Sequence, residues 1–169
     1  MVKATYKNNL DEYKTFLNHT VFTVNGGKKT LIYLASAILL LIVVGFFFSI
    51  LWILAGLFIV VLLFKFLGLR GAVKKNIYVI NKNYKEFSKV SNDYEFTEEN
   101  FLVINKKGKI EVNYSEVYGV EETEKFFYIY MGKAIAYIIK KKGITEGNGE
   151  ELSMLLKKAV GEKYKRRGK

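Results

Sequence analysis

The sequence predicts an α+β membrane protein: a two-helix transmembrane hairpin joined to a small antiparallel barrel or sandwich that a C-terminal helix closes. Three observations predict it. Residues 31–64 form an apolar block without one charged side chain, the apolar residues from Asp93 onward recur with a period of two, and helical spacing returns between Asn148 and Val160.

The block is too long for one simple span. Its 34 residues would reach roughly 51 Å as a helix, against a hydrocarbon core of about 30 Å. Two short spans fit better, with a turn near Gly45, Phe46, Phe47, Phe48 and Ser49 that puts the phenylalanines and Trp52 near the far interface. Gly45, Ser49 and Gly56 either let helices approach closely or serve the turn. Both flanks are basic: Lys28 and Lys29 precede the block, Lys65, Arg70, Lys74 and Lys75 follow it, and no Asp or Glu lies between Glu12 and Glu86. The positive-inside rule then puts both termini in the cytoplasm, as in a multi-pass protein of the cell membrane. One long tilted helix or a buried core helix is the bland alternative, although ordinary soluble helices run roughly 8–20 residues. A cleaved signal peptide fits worse, because the apolar stretch is too long and a largely polar segment precedes it.

The remaining residues suffice for one modest soluble core. The net charge of +11 is concentrated beside the block and in the tail GEKYKRRGK, where Lys163, Lys165, Arg166, Arg167 and Lys169 add about 1 kcal/mol each at most near an anionic leaflet. Anionic lipid is therefore the simplest partner, with Lys28, Lys29, Lys65, Arg70, Lys74, Lys75, Arg166 and Arg167 as its expected contacts, and nucleic acid is not expected. The chain has no cysteine, which excludes disulfides and thiolate chemistry. With no proline either, its breaks fall to glycine, asparagine and charge.

The elements follow in order. Val2, Ala4 and Tyr6 alternate as a short strand. Asn9 with Glu12 resembles a capping box ahead of a helix carrying Tyr13, Phe16, Leu17 and Val21, which ends at Asn25-Gly26-Gly27. After the second span, Val73, Ile77, Ile80, Tyr84 and Phe87 make one stripe of an amphipathic helix, read as a connector, a basic interfacial helix or a short dimerisation seam. Six strands are then expected from Tyr94 and Phe96; Leu102 and Ile104; Ile110, Val112 and Tyr114; Val117 and Val120; Phe127, Ile129 and Met131; and Ile135, Tyr137 and Ile139. Glycines in KKGK (106–109) and MGK (131–133) mark hairpin turns. Asn148 and Glu151 form a second capping box before the stripe Leu152, Leu155, Leu156 and Val160. A twisted sheet whose open end is covered by one helix is a pleckstrin-homology-like arrangement. The expected divisions are 1–27 (strand and helix), 28–68 (hairpin), 69–91 (connector), 92–160 (β domain with its helix) and 161–169 (basic tail).

Residues 94–141, with YSEVYGVEET, FFYIY and AYIIKK in that order, resemble the C-terminal domain of the YcxB-like family of bacterial membrane proteins. The order of polar N-terminus, two adjacent membrane helices and strand run is similar as well. That family often places a proline before a lysine after the last strand, where this chain has IIKKKG. The resemblance implies membrane residence and a pleckstrin-homology-like domain, and it brings no established reaction.

Chemistry-bearing residues are few. His19 is the only histidine and cannot hold a metal alone, Asp11 and Asp93 read as a helix start and a turn, and no serine sits in a nucleophile elbow. The glycines at 143, 147 and 149 do not match a phosphate-binding loop. The acidic cluster Glu116, Glu121, Glu122 and Glu124 reads first as a solvated hairpin loop, second as an acid–base or cation site with lysines of the last strands. The block has no ionisable residue for an ion path. These features predict a membrane-anchored interaction module presenting its domain to protein, peptide or lipid ligands. It is expected to be no enzyme, to need no cofactor and no metal, and to have a protein partner or a second copy as its other candidate associates. The alternatives are a structural subunit of a membrane complex, with strand 126–130 as its interface, or a membrane-bound enzyme.

Overall fold

The computed structural model describes residues 1–48, 50–133 and 135–167. Ser49 and Lys169, both named above, lie outside the described residues. The chain forms two compact units, Met1–Tyr13 with Asn83–Lys169, and Lys14–Lys82. These limits differ from the expected divisions at residues 27 and 91, because the first strand is hydrogen-bonded into the C-terminal domain and the second apolar helix runs unbroken to Lys82.

The chain opens with β1 (Val2–Lys7) and α1 (Leu10–His19). Asn9 caps α1, its Oδ1 accepting from the backbone N–H groups of Asp11 and Glu12 at 2.9 and 3.2 Å. The helical unit continues through one π-turn, Thr20–Val24, into α2 (Gly27–Gly45) and α3 (Leu51–Lys82). α2 and α3 pack side by side and antiparallel: Gly27 at the start of α2 lies against Leu69, and Gly45 at its end against the Trp52 indole. Gly56 faces open surroundings instead. At 1.5 Å per residue the 32 residues of α3 reach about 48 Å, so the expected connector helix is largely the far end of α3, followed by the short α4 (Tyr84–Phe87). The stripe Val73, Ile77, Ile80 and Phe87 is less exposed than its neighbours, whereas Tyr84 stays exposed.

The strand domain adds β2 (Ser91–Phe96), β3 (Asn100–Asn105), β4 (Gly108–Asn113), β5 (Gly119–Glu122), β6 (Phe126–Tyr130), β7 (Ala136–Lys140), β8 (Ile144–Glu146) and β9 (Tyr164–Arg166), with α5 (Gly149–Val160) before β9. One sheet has the order β4-β3-β2-β1-β8, the other β7-β6-β5-β9. Among the described residues both keep free edges, so no closed barrel forms. Every pairing among the described residues is antiparallel except β5 with β9.

Aromatic side chains join the sheets. Tyr137 of β7 meets Tyr94 and Phe101 edge-on, with ring centroids 6.1 and 5.6 Å apart. Leu152 and Leu156 of α5 are fully buried, and Asn148 Oδ1 caps that helix by accepting from the Glu150 and Glu151 N–H groups. The expected phase of β3 is corrected: Phe101 and Val103 are buried while Leu102 and Ile104 are half-exposed, because β3 carries apolar residues on both faces. Ile110 is also exposed, and Tyr114 belongs to a 3-10 turn.

β1 is held close at its far edge. A Cβ on Gly143 would run into the Thr5 carbonyl oxygen, which is backbone and cannot swing aside. Gly143→Ala is therefore expected to destabilise the domain by about 2 kcal/mol, read as a lower urea midpoint. An unchanged midpoint would refute the close approach.

Candidate functional site

Within the helical unit, Lys28 and Lys29 occupy the first turn of α2, and Lys65, Arg70, Lys74 and Lys75 lie along α3; all six are exposed. The Arg70 guanidinium sits 4.6 Å from the centroid of the Phe66 ring. Both helices are long and apolar enough to cross a membrane, and only 6% of each span is buried. Phe46, Phe47 and Phe64 are 78%, 82% and 73% exposed, so the apolar side chains point outward rather than into a core. A surface this apolar marks contact with lipid or with another apolar partner.

The acidic cluster is not a solvated loop. Glu121 and Glu122 belong to β5 and are only 5% and 2% exposed. Glu124 is exposed in the following turn, and Glu116 is exposed and accepts from Asn113. The reason lies in distant sequence: β9 runs parallel to β5, placing Lys165 and Arg166 beside Glu121 and Glu122, and the Arg167 N–H closes the ladder on the Glu122 carbonyl at 2.7 Å. The basic tail is thus a strand over Tyr164–Arg166. Arg167 reaches Glu121 at 3.3 Å and Arg166 reaches Glu122 at 3.5 Å, so both arginines expected at lipid face carboxylates of their own domain.

Glu122 is the centre of a polar cluster. Its Oε1 accepts from Lys141 Nζ at 2.5 Å; its Oε2 accepts from Ser153 Oγ of α5 at 3.1 Å and from the Tyr164 hydroxyl. Ser153 and Tyr164 are themselves 2.7 Å apart. Burial opposes ionisation of Glu122, but the hydrogen bonds from Lys141, Tyr164 and Ser153, with the Lys141 charge, outweigh it and hold the carboxyl below its ordinary value. Burial and the bond to Glu122 push the Tyr164 phenol up to about 12, so at neutral pH it stays a donor. An open cleft of about 620 Å³ borders Glu122, Lys141, Ser153 and Arg166.

The fold brings Glu122 against Lys141, whereas the sequence reading named only the acidic cluster with unspecified lysines of the last strands. Ser153 and Tyr164 carried no local signal, since a serine on a helix and a tyrosine in a basic tail gain meaning only from the β5–β9 pairing. Strand 126–130 is not an exposed interface: all five of its residues are buried within the chain. His19 closes the last turn of α1, and among the described residues no group of three His, Cys, Asp or Glu side chains could hold a metal ion.

Residues 96–156 match the family model described as YcxB-like protein. Neither the curated proteins nor the solved structures contain a match to the chain.

Proposed function

We propose, from the match of residues 96–156 to the YcxB-like family model and from the fold, that this chain is a membrane-anchored interaction module. α2 and α3 cross the bilayer as a hairpin with both ends cytoplasmic, and the pleckstrin-homology-like strand domain engages protein, peptide or lipid ligands at the leaflet. The carrying observation is the pairing of β1 with β2. These strands flank the helical unit in sequence, yet they pair antiparallel over six residues, from Val2 with Phe96 to Lys7 with Ser91. A chain that enters lipid after Lys7 must return to the same compartment before Ser91 for that ladder to form, which favours two spans over one. The basic flanks of both helices favour the cytoplasmic side. Anchoring raises the local concentration of membrane ligands, so weak individual contacts suffice.

The saturation of Glu122 supports a structural clamp rather than an acid–base pair, since each of its oxygens already accepts from at least one donor. The test of the anchoring uses the natural absence of cysteine. Lys3→Cys and Lys165→Cys are each expected to resist a membrane-impermeant maleimide in intact cells and to react after lysis. Labelling of either from outside overturns the topology.

A further inference from the structure

We propose that the strand domain holds a binding cleft for a phosphate monoester group, formed by Tyr6 and Lys7 of β1, Glu12 of α1, Lys89, Lys106 and Lys140. This deepens the interaction-module reading by naming its ligand chemistry. The cleft has a volume of about 760 Å³ and is open to solvent. That size suits a small ligand rather than a chain. Its lysines come from four separate places in sequence: the end of β1, the approach to β2, the β3–β4 turn and the end of β7. Lys7, Lys89 and Lys106 make no ion pair among the described residues, and only Lys140 is paired, with Glu12 at 2.5 Å. Four lysines against one glutamate repel one another until an anion arrives. A phosphate dianion supplies both the charge and three acceptor oxygens for ammonium donors, which a single carboxylate does not.

The second observation lies beneath the lysines. Tyr6 lines the cleft and is 4% exposed, and its hydroxyl is buried without a hydrogen-bond partner. An unmade bond of this kind is costly. Burial and the nearby Glu12 charge keep the phenol protonated far above its ordinary range, so it remains a donor. Glu12 therefore has two donors within its neighbourhood: Lys140, which it holds at 2.5 Å, and the Tyr6 hydroxyl, which interacts with it without reaching a full hydrogen bond. A phosphate group takes Lys140, and Glu12 turns to the Tyr6 hydroxyl. The exchange leaves no charge bare and satisfies the orphaned donor. Tyr6 is a positioning residue in this scheme, acting through Glu12.

The full chain in nanodiscs of phosphatidylcholine tests this by titration with inorganic phosphate and with glycerol 3-phosphate at constant ionic strength, followed by tyrosine near-ultraviolet circular dichroism and unfolding midpoint. A parallel set of nanodiscs contains phosphatidic acid. Either the soluble ester or the phosphatidic acid raises the midpoint, and which of the two does so identifies a free phosphate or a headgroup as the source. Lys7→Gln and Lys106→Gln each weaken the response at least about tenfold. Tyr6→Phe, which removes only the orphaned hydroxyl and keeps the fold, weakens it as well. No response to either ligand, or equal responses from the wild type and the Lys7→Gln/Lys106→Gln double variant, overturns the site. A chain that inserts in the nanodiscs but binds no phosphate loses this proposal and keeps the anchoring. A chain soluble without amphiphile loses the anchoring while the phosphate titration still decides the cleft.

Discussion

Glu122→Gln is expected to destabilise the strand domain by about 3 kcal/mol, a fall in midpoint temperature on the order of 10–20 °C. The side chain is only 3% exposed, while its partner Lys141 is 25% exposed, so removing the negative charge strands an ammonium group that water reaches poorly. The amide keeps the shape but brings an N–H₂ group to a place crowded with donors from Lys141, Ser153 and Tyr164. Glu124→Gln in the exposed turn is the control, expected to stay within about 0.5 kcal/mol of the wild type. Tyrosine circular dichroism of the full chain in mild detergent reports on the domain, because the single tryptophan, Trp52, lies in α3.

The same carboxylate sets an acid limit. Its value in the folded domain lies below the ordinary 4.5, so the unfolded chain takes up its proton first as the pH falls. The contribution of Glu122 is fully present above about pH 4.5 and is lost as the pH drops through the lowered folded value. Between pH 7 and 3 the stability of the wild type minus that of Glu122→Gln should shrink, with the whole change below about pH 4.5. A difference that stays flat across that range would show that the charge is not what the cluster uses.

Removing residues 1–7 is expected to have a still larger effect and to leave residues 83–169 without a stable fold. β1 stands between β2 and β8, so its loss strips both of a neighbour. Val2, Ala4 and Tyr6 are 2%, 2% and 4% exposed, and their burial contributes roughly 5 kcal/mol, comparable to the whole stability of a small domain. Residues 1–13 joined to residues 83–169 by a linker of about eight Gly/Ser residues should fold in water, because the Tyr13 and Phe87 rings are only 5.4 Å apart. A folded, protease-resistant 83–169 fragment would contradict the central role of β1.

Much of this was legible in the sequence, for physical reasons that differ by element. Val2, Ala4 and Tyr6 alternate cleanly because β1 buries one face, and Asn9 and Asn148 announce their helices because capping is a local interaction. Phe126–Tyr130 shows no alternation because both of its faces are buried, and Phe101 to Ile104 is apolar on both faces, which leaves its phase open. The pair Glu121-Glu122 read as a loop because charge usually marks solvent. Its countercharges, Lys141, Arg166 and Arg167, lie 19 to 46 residues away and were visible only as a hairpin end and a tail. The cleft residues Lys7, Lys89, Lys106 and Lys140 were likewise four unremarked lysines until the fold gathered them.

The position of β1 also bears on how the protein is made. β1 leaves the ribosome before its partners and cannot find β2 until the whole helical unit has been synthesised, an interval of several seconds at roughly 5–20 residues per second, and β8 follows later still. During that time it waits as an unpaired edge. In the proposed topology, failure of one helix to insert would leave β1 across the bilayer from its partners, the sheet would lack its middle, and the unfolded remainder would be exposed to proteases. In the proposed hairpin topology, completion of the sheet therefore depends on both helices having inserted.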